Sequence, residues 1–120
     1  MVSETLQIPI VNMDFKQYKV NQAVFFKCNS IKLTIIAVHI NNCTIASTTI
    51  LLIEQTKMAI HKHVEITDLG ELHWLLGIEI IRNRETRTIH LSQKSYIESI
   101  VHQFNLEDAH TVSTPMETHI

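Results

Sequence analysis

The chain is 120 residues long, enough for one domain with a modest core, and its 45% hydrophobic and 18% charged content excludes a disordered, highly charged polymer. A net charge of −2 argues against a dedicated nucleic-acid-binding module, which would carry a basic face or a high isoelectric point. The longest aliphatic runs, Ile35–Val38 and Ile50–Ile53, are far too short to cross a bilayer, so no membrane partner is expected.

In chain order, Met1-Val2-Ser3-Glu4 has neither the basic nor the apolar stretch that opens a secretory signal. Ala23–Lys27 and Leu33–His39 read as paired strands around Cys28-Asn29-Ser30, and Cys43–Ala46 returns as a third, so residues 23–47 form a hairpin region. Its tip is His39-Ile40-Asn41-Asn42, a polar pair between two apolar runs, and asparagine suits such turns because it tolerates positive φ. A helix is expected over about 48–64, capped by Ser47, Thr48 or Thr49. Within it Ile50, Ile53, Ile60 and Val64 share one face that Lys57 interrupts.

Trp74–Ile81 and Thr88–Leu91 then form a second hairpin, over about 74–91, turning through Asn83-Arg84-Glu85-Thr86. A second helix follows over about 92–105, capped by Ser92. Tyr96, Ile97, Ile100, Val101 and Phe104 take the spacing of a buried stripe, and Asn105 is the expected stop. From Glu107 to Ile120 no periodicity remains, and the tail reads as irregular. With only two glycines and two prolines to punctuate it, the chain reads as one continuous α+β unit. Cys28 and Cys43 lack metal-type spacing and read as reduced thiols of an intracellular protein, its compartment left open.

Several segments are specific enough to name a family. Ile66-Thr67-Asp68-Leu69-Gly70-Glu71-Leu72-His73-Trp74-Leu75-Leu76-Gly77-Ile78-Glu79-Ile80 resembles, nearly letter for letter, the "DLGELHxxLGIEI" segment of copia-type retrotransposon reverse transcriptases. Thr88–Ile97 is similar to their "IxLSQxxYI" stretch, and Val112-Ser113-Thr114-Pro115-Met116 to their "VSTPM". Asp14-Phe15-Lys16-Gln17 and Ala23–Lys27 resemble the family's "GFKQ…VFxK", with Asp14 where glycine is usual. In order and spacing these segments cover roughly residues 14–118. The resemblance implies part of a polymerase palm, its antiparallel hairpins packed on two helices. The implied activity is RNA-directed DNA polymerisation.

In that family the tip of the first hairpin reads Tyr-Val-Asp-Asp, and its two aspartates join an earlier one in holding magnesium. The pair maps onto Asn41 and Asn42, and the third aspartate belongs to a segment that would precede Met1. Polymerisation is an in-line displacement in which two metal ions stabilise the attacking and leaving oxygens. Magnesium takes hard oxygen ligands, above all carboxylates, and a neutral amide is a poor substitute. A lost metal contact costs several kcal/mol of transition-state stabilisation, and each ~1.4 kcal/mol is about tenfold in rate. No cofactor is therefore expected in this chain, although the active family uses magnesium. The RNA template and DNA primer that the family implies are expected to bind weakly or not at all.

Other residues invite roles that the sequence supports less well. Asp68 and Glu71 could replace the lost carboxylates, but Asp68 reads better as a helix or turn cap, and Glu79 as a solvated strand residue. Trp74 and Gly77 are candidates for contact with nucleic acid, by stacking and by close backbone approach, against the plainer reading of Trp74 as core. Arg82, Arg84 and Arg87 could touch phosphate, against a solvated hairpin rim. His39 beside the turn reads as a half-buried strand residue, and His61 and His63 point to different faces of their helix. No Cys-x-x-Cys or His-Glu-x-x-His pattern marks a metal site. Two other functional classes remain open: a non-catalytic protein that associates with an intact polymerase, and residual nucleic-acid binding with steep salt dependence.

Overall fold

Along β3 (Lys32–His39) Thr34, Ile36 and Val38 are buried while their neighbours are exposed, the period of a strand with one covered face. β3 sits inside a four-stranded antiparallel sheet of order β1-β2-β3-β4, with β1 at Lys16–Gln17, β2 at Val24–Asn29 and β4 at Asn42–Ser47. Register puts Phe25 opposite Ile36 and Ile36 opposite Ile45, so one apolar row crosses three strands. The computed structural model describes residues 4–116. Met1–Ser3 and the last four residues of the tail, both read above, lie outside it.

Two helices supply the cover. α1 (Glu4–Asn12) contributes Leu6 and Ile10, one turn apart on the same face, and α2 (Ile50–His61) contributes Ile60. Together with Phe15, Phe25, Ile36 and Val38 they form the core, and Met13, Ile45, Val64 and Ile66 pack against it. The sequence pattern gives no hint of α1, because Pro9 lies inside it and proline removes one helical hydrogen bond. The helix still closes: the Met13 N–H donates to the carbonyls of Pro9 and Ile10, both at 3.2 Å, and Asp14 follows at φ 65°. That left-handed position suits glycine, the residue usual there in the resembling family.

α2 is shorter than the periodicity suggests. Thr49 is its cap, its hydroxyl accepting from the Leu52 N–H at 3.3 Å. Of the expected stripe Ile60 is buried, Ile53 half-buried and Val64 packed on the core, with Thr56 on the same face, while Ile50 in the first turn is exposed. Thr56 tolerates burial because its hydroxyl donates to the Leu52 carbonyl at 2.7 Å. The β2–β3 turn is also displaced. Cys28 and Asn29 belong to the strand, and Ser30-Ile31 makes the turn.

The chain divides after Gly70, where the sequence reads as continuous, and a second compact unit begins at Glu71. The expected single strand Trp74–Ile81 is broken there. β5 (Trp74–Leu75) turns through Leu76-Gly77 into β6 (Ile78–Asn83), which pairs with β7 (Thr88–Ser92) in a three-stranded sheet. Leu76 and Gly77 both have positive φ, 53° and 78°, as a type I′ turn requires.

α3 (Lys94–Gln103) follows, and Ser92 is not its cap: Gln93 holds that position without a side-chain bond. The Ser92 hydroxyl instead accepts from the Lys94 N–H at 3.2 Å. Asn105 ends the helix at φ 53°. Its N–H donates to the His102 carbonyl and that of Leu106 to the Val101 carbonyl, a Schellman closure. The expected buried stripe is not buried. Tyr96, Ile97 and Phe104 are exposed and Ile100 and Val101 half-buried, and none of the described residues of this unit is fully buried. Of the two helices expected to back the hairpins, α2 does so for the first sheet, and α1 supplies the other half of that cover.

Candidate active-site hairpin

The tip of the β3–β4 hairpin is fixed from below. Val38 pairs with Cys43 and His39 with Asn42, leaving Ile40-Asn41 as a two-residue turn. Positive φ, expected of an asparagine, falls instead on Ile40 at 53°. A left-handed L-residue costs roughly 1–2 kcal/mol, and a β-branched one is a genuine outlier. Register and right-handed strand twist impose the conformation, because tight hairpins need it at this position. Strain of this kind concentrates at functional turns.

His39, Ile40, Asn41 and Asn42 are all exposed, so the tip presents two adjacent amides to solvent. His39 pairs with Asn42 on the sheet face away from the core, and is exposed rather than half-buried. Cys43 lies on the core-facing row beside Val38, and partial burial of its thiol pushes it up to about 11. Cys28 pairs with Leu33 on the opposite face, so the sheet separates the two free thiols.

The tip does not fit magnesium. Its side-chain donors are two neutral amides, with no carboxylate in the turn. Among the described residues no group of three or more His, Cys, Asp or Glu side chains is placed to hold a metal ion. Asp68 and Glu71 are engaged elsewhere. Asp68 accepts from the Gly70 N–H and from Lys57 Nζ, both at 2.9 Å, and the Lys57 ammonium is the larger cause holding its carboxyl below the usual range. Lys57 also reaches Glu54 at 3.2 Å, and its own value is raised chiefly by the Asp68 bond. Glu71 pairs with Arg84 at 2.8 Å and is lowered by it. The Asp-x-Gly spelling at 68–70 is the sequence signal for that turn.

Trp74 and Gly77 belong to the second unit, Asn41 and Asn42 to the first. Trp74 is 53% exposed on β5 opposite Glu79, which is itself half-buried rather than solvated. Gly77 has open space where a Cβ would stand, and its left-handed φ of 78° favours glycine. His63 lies beyond the end of α2, past the cap residue Lys62, and does not share the helix with His61.

Asn41 and Asn42 thus stand side by side at the tip of a tight hairpin in a helix-backed antiparallel sheet. A family model described as reverse transcriptase (RNA-dependent DNA polymerase) matches residues 1–118, and the chain belongs to that family, in its copia-type branch. It is 39% identical over 69 residues to the Retrovirus-related Pol polyprotein from transposon TNT 1-94 of Nicotiana tabacum. That match covers 58% of this chain and 5% of the polyprotein, so the chain corresponds to a small part of its relative. No solved structure matches the chain.

Proposed function

We propose that this chain is a catalytically silent part of a copia-type reverse transcriptase, keeping the hairpin of RNA-directed DNA polymerisation but not its chemistry. The observation that carries the reading is the pair Asn41-Asn42 at the exposed tip, where the family's aspartates hold magnesium. Replacing both carboxylates removes two formal charges from a metal turn. At several kcal/mol per lost metal contact, the rate falls by many powers of ten. Template and primer then bind without the metal bridge, and weakly. Primer extension on an RNA template with magnesium should yield no product. A magnesium-dependent product from the purified chain overturns the reading.

One observation favours a second reading, association with an intact polymerase. β4 is an edge strand, and Asn42-Cys43-Thr44-Ile45-Ala46-Ser47 contains neither a charge nor a proline to blunt it. Such an edge accepts an added strand through its backbone groups. Co-purification with an intact homologue tests this, and a clean negative removes it.

A further inference from the structure

The chain has three arginines, and all of them fall at one hairpin turn, while its seven lysines lie elsewhere. Arg82 stands on β6 opposite Ile89. Arg84 and Arg87 begin and end the four-residue connection that Asn83 and Thr88 close. The three residues, with Asn83, Thr88 and Ile89, line one concavity of about 350 Å³.

The turn is rigid for its length. Asn83 Oδ1 accepts from the N–H groups of Glu85 and Thr86 at 3.0 and 3.1 Å, and the Thr86 and Thr88 hydroxyls bond at 2.9 Å. Arg87 occupies a left-handed position at φ 54°, where glycine or asparagine would sit without strain. Glu71 holds Arg84 in place at 2.8 Å. Among the described residues neither Arg82 nor Arg87 has a carboxylate within ion-pair distance, although Arg82 is near enough to Glu71 to help hold its carboxyl below the usual range, so two of the three arginines lining the concavity are free of an ion pair. This happens in a unit whose described residues carry six acidic side chains against four basic ones.

We propose that the β6–β7 turn is a phosphate grip for a nucleic-acid strand, with Arg82 and Arg87 as the forks and Arg84 as a fixed third donor. The chemistry follows from the residue type. Guanidinium is planar, always charged and matched to two oxygens of a phosphate, which an ammonium is not. Asn83 engages the amides of Glu85 and Thr86, and the charged recognition falls to the arginines. Glu85 lies in the same turn and opposes an anion, so it tunes the grip downward. The choice of a nucleic acid over other phosphate carriers rests on the reverse-transcriptase reading.

The test is fluorescence anisotropy of a labelled single-stranded DNA oligonucleotide titrated with the full chain at several salt concentrations. Arg82→Gln/Arg87→Gln should weaken binding about tenfold or more, and should flatten log affinity against log salt by ~1.4 for two lost phosphate contacts. Arg82→Lys/Arg87→Lys should fall between, keeping charge without the fork. Glu85→Gln should bind more tightly than wild type, an outcome that misfolding cannot produce. Equal affinity of the double glutamine variant and wild type overturns the grip. So does a wild type that takes inorganic phosphate but no oligonucleotide, or that binds neither. Catalytic silence is tested separately by primer extension, and a product there leaves the grip standing.

Discussion

Two neighbouring isoleucines test whether the first sheet has one covered face. Ile36 is fully buried between Phe25 and Ile45, whereas Ile35, the next residue on the same strand, is 36% exposed between Phe26 and Ala46. Ile→Ala removes three carbons, about 2.4 kcal/mol of transfer free energy at ~0.8 kcal/mol each when burial is complete. At Ile36 the enclosed site adds a cavity cost, which brings the loss to about 3–4 kcal/mol. At Ile35 only part of the side chain is covered and water fills the gap, so the loss is about 1 kcal/mol. For a unit of this size each kcal/mol moves Tm by roughly 4–8 °C, so Ile36→Ala should lower it by well over ~10 °C and Ile35→Ala by about 5 °C. Thermal melts followed by circular dichroism read the difference. Equal losses would refute the one-sided core and would mean that the outer face is packed as well.

Asp14→Gly should raise Tm by a few degrees. It relieves a left-handed residue costing roughly 1–2 kcal/mol, offset by ~0.5–1 kcal/mol of glycine chain entropy, and Asp14 buries nothing. A lower melting point would place the strain elsewhere. Asp68 and Glu71 have folded values below their ordinary 3.8 and 4.5, so the stability they lend is present above those values and lost as pH falls through the lowered ones. Acid titration followed by fluorescence should therefore show a decline below about pH 4 that Asp68→Asn diminishes; an unchanged profile counts against the Lys57 pair. Cys43 at about 11, two units above its ordinary 9.0, should carry about a hundredfold less thiolate at neutral pH than a free cysteine. In a Cys28→Ser variant iodoacetamide should accordingly react slowly, and a rate equal to free cysteine would contradict the burial.

The sheet at the hairpin was legible because strand period and register are written in alternating residues: Thr34, Ile36 and Val38 spell one face. The tip was legible only in outline. Asparagine's tolerance of positive φ is an intrinsic preference, and the pairing of His39 with Asn42 overrode it by moving the strain onto Ile40. α1 was invisible because Pro9 spoils the local pattern, while tertiary cover for Phe25 and Ile36 rewards the helix anyway. The stripe of α3 misled for the opposite reason: period predicts which residues share a face, and says nothing about whether a partner covers it. The turn at Leu76-Gly77 is hidden in the sequence because only its second residue is a glycine, while both positions are left-handed.

The hairpin holds its shape through Phe25, Ile36, Val38 and the paired strands, none of which depends on what stands at positions 41 and 42. Two adjacent aspartates without a metal would repel each other at the tip, and the amide pair avoids that cost. Asn41→Asp/Asn42→Asp should therefore melt slightly below wild type at low salt, by less than ~1 kcal/mol because the tip is exposed and screened. Millimolar manganese should restore the difference in this variant alone and broaden its tip resonances, since carboxylates coordinate a hard divalent ion and amides hardly do. Equal broadening in wild type would show that the two amides suffice as ligands and would undo the reading of a silent site. The fold then persists whichever pair the turn carries, because the tip projects from a scaffold that does not depend on it.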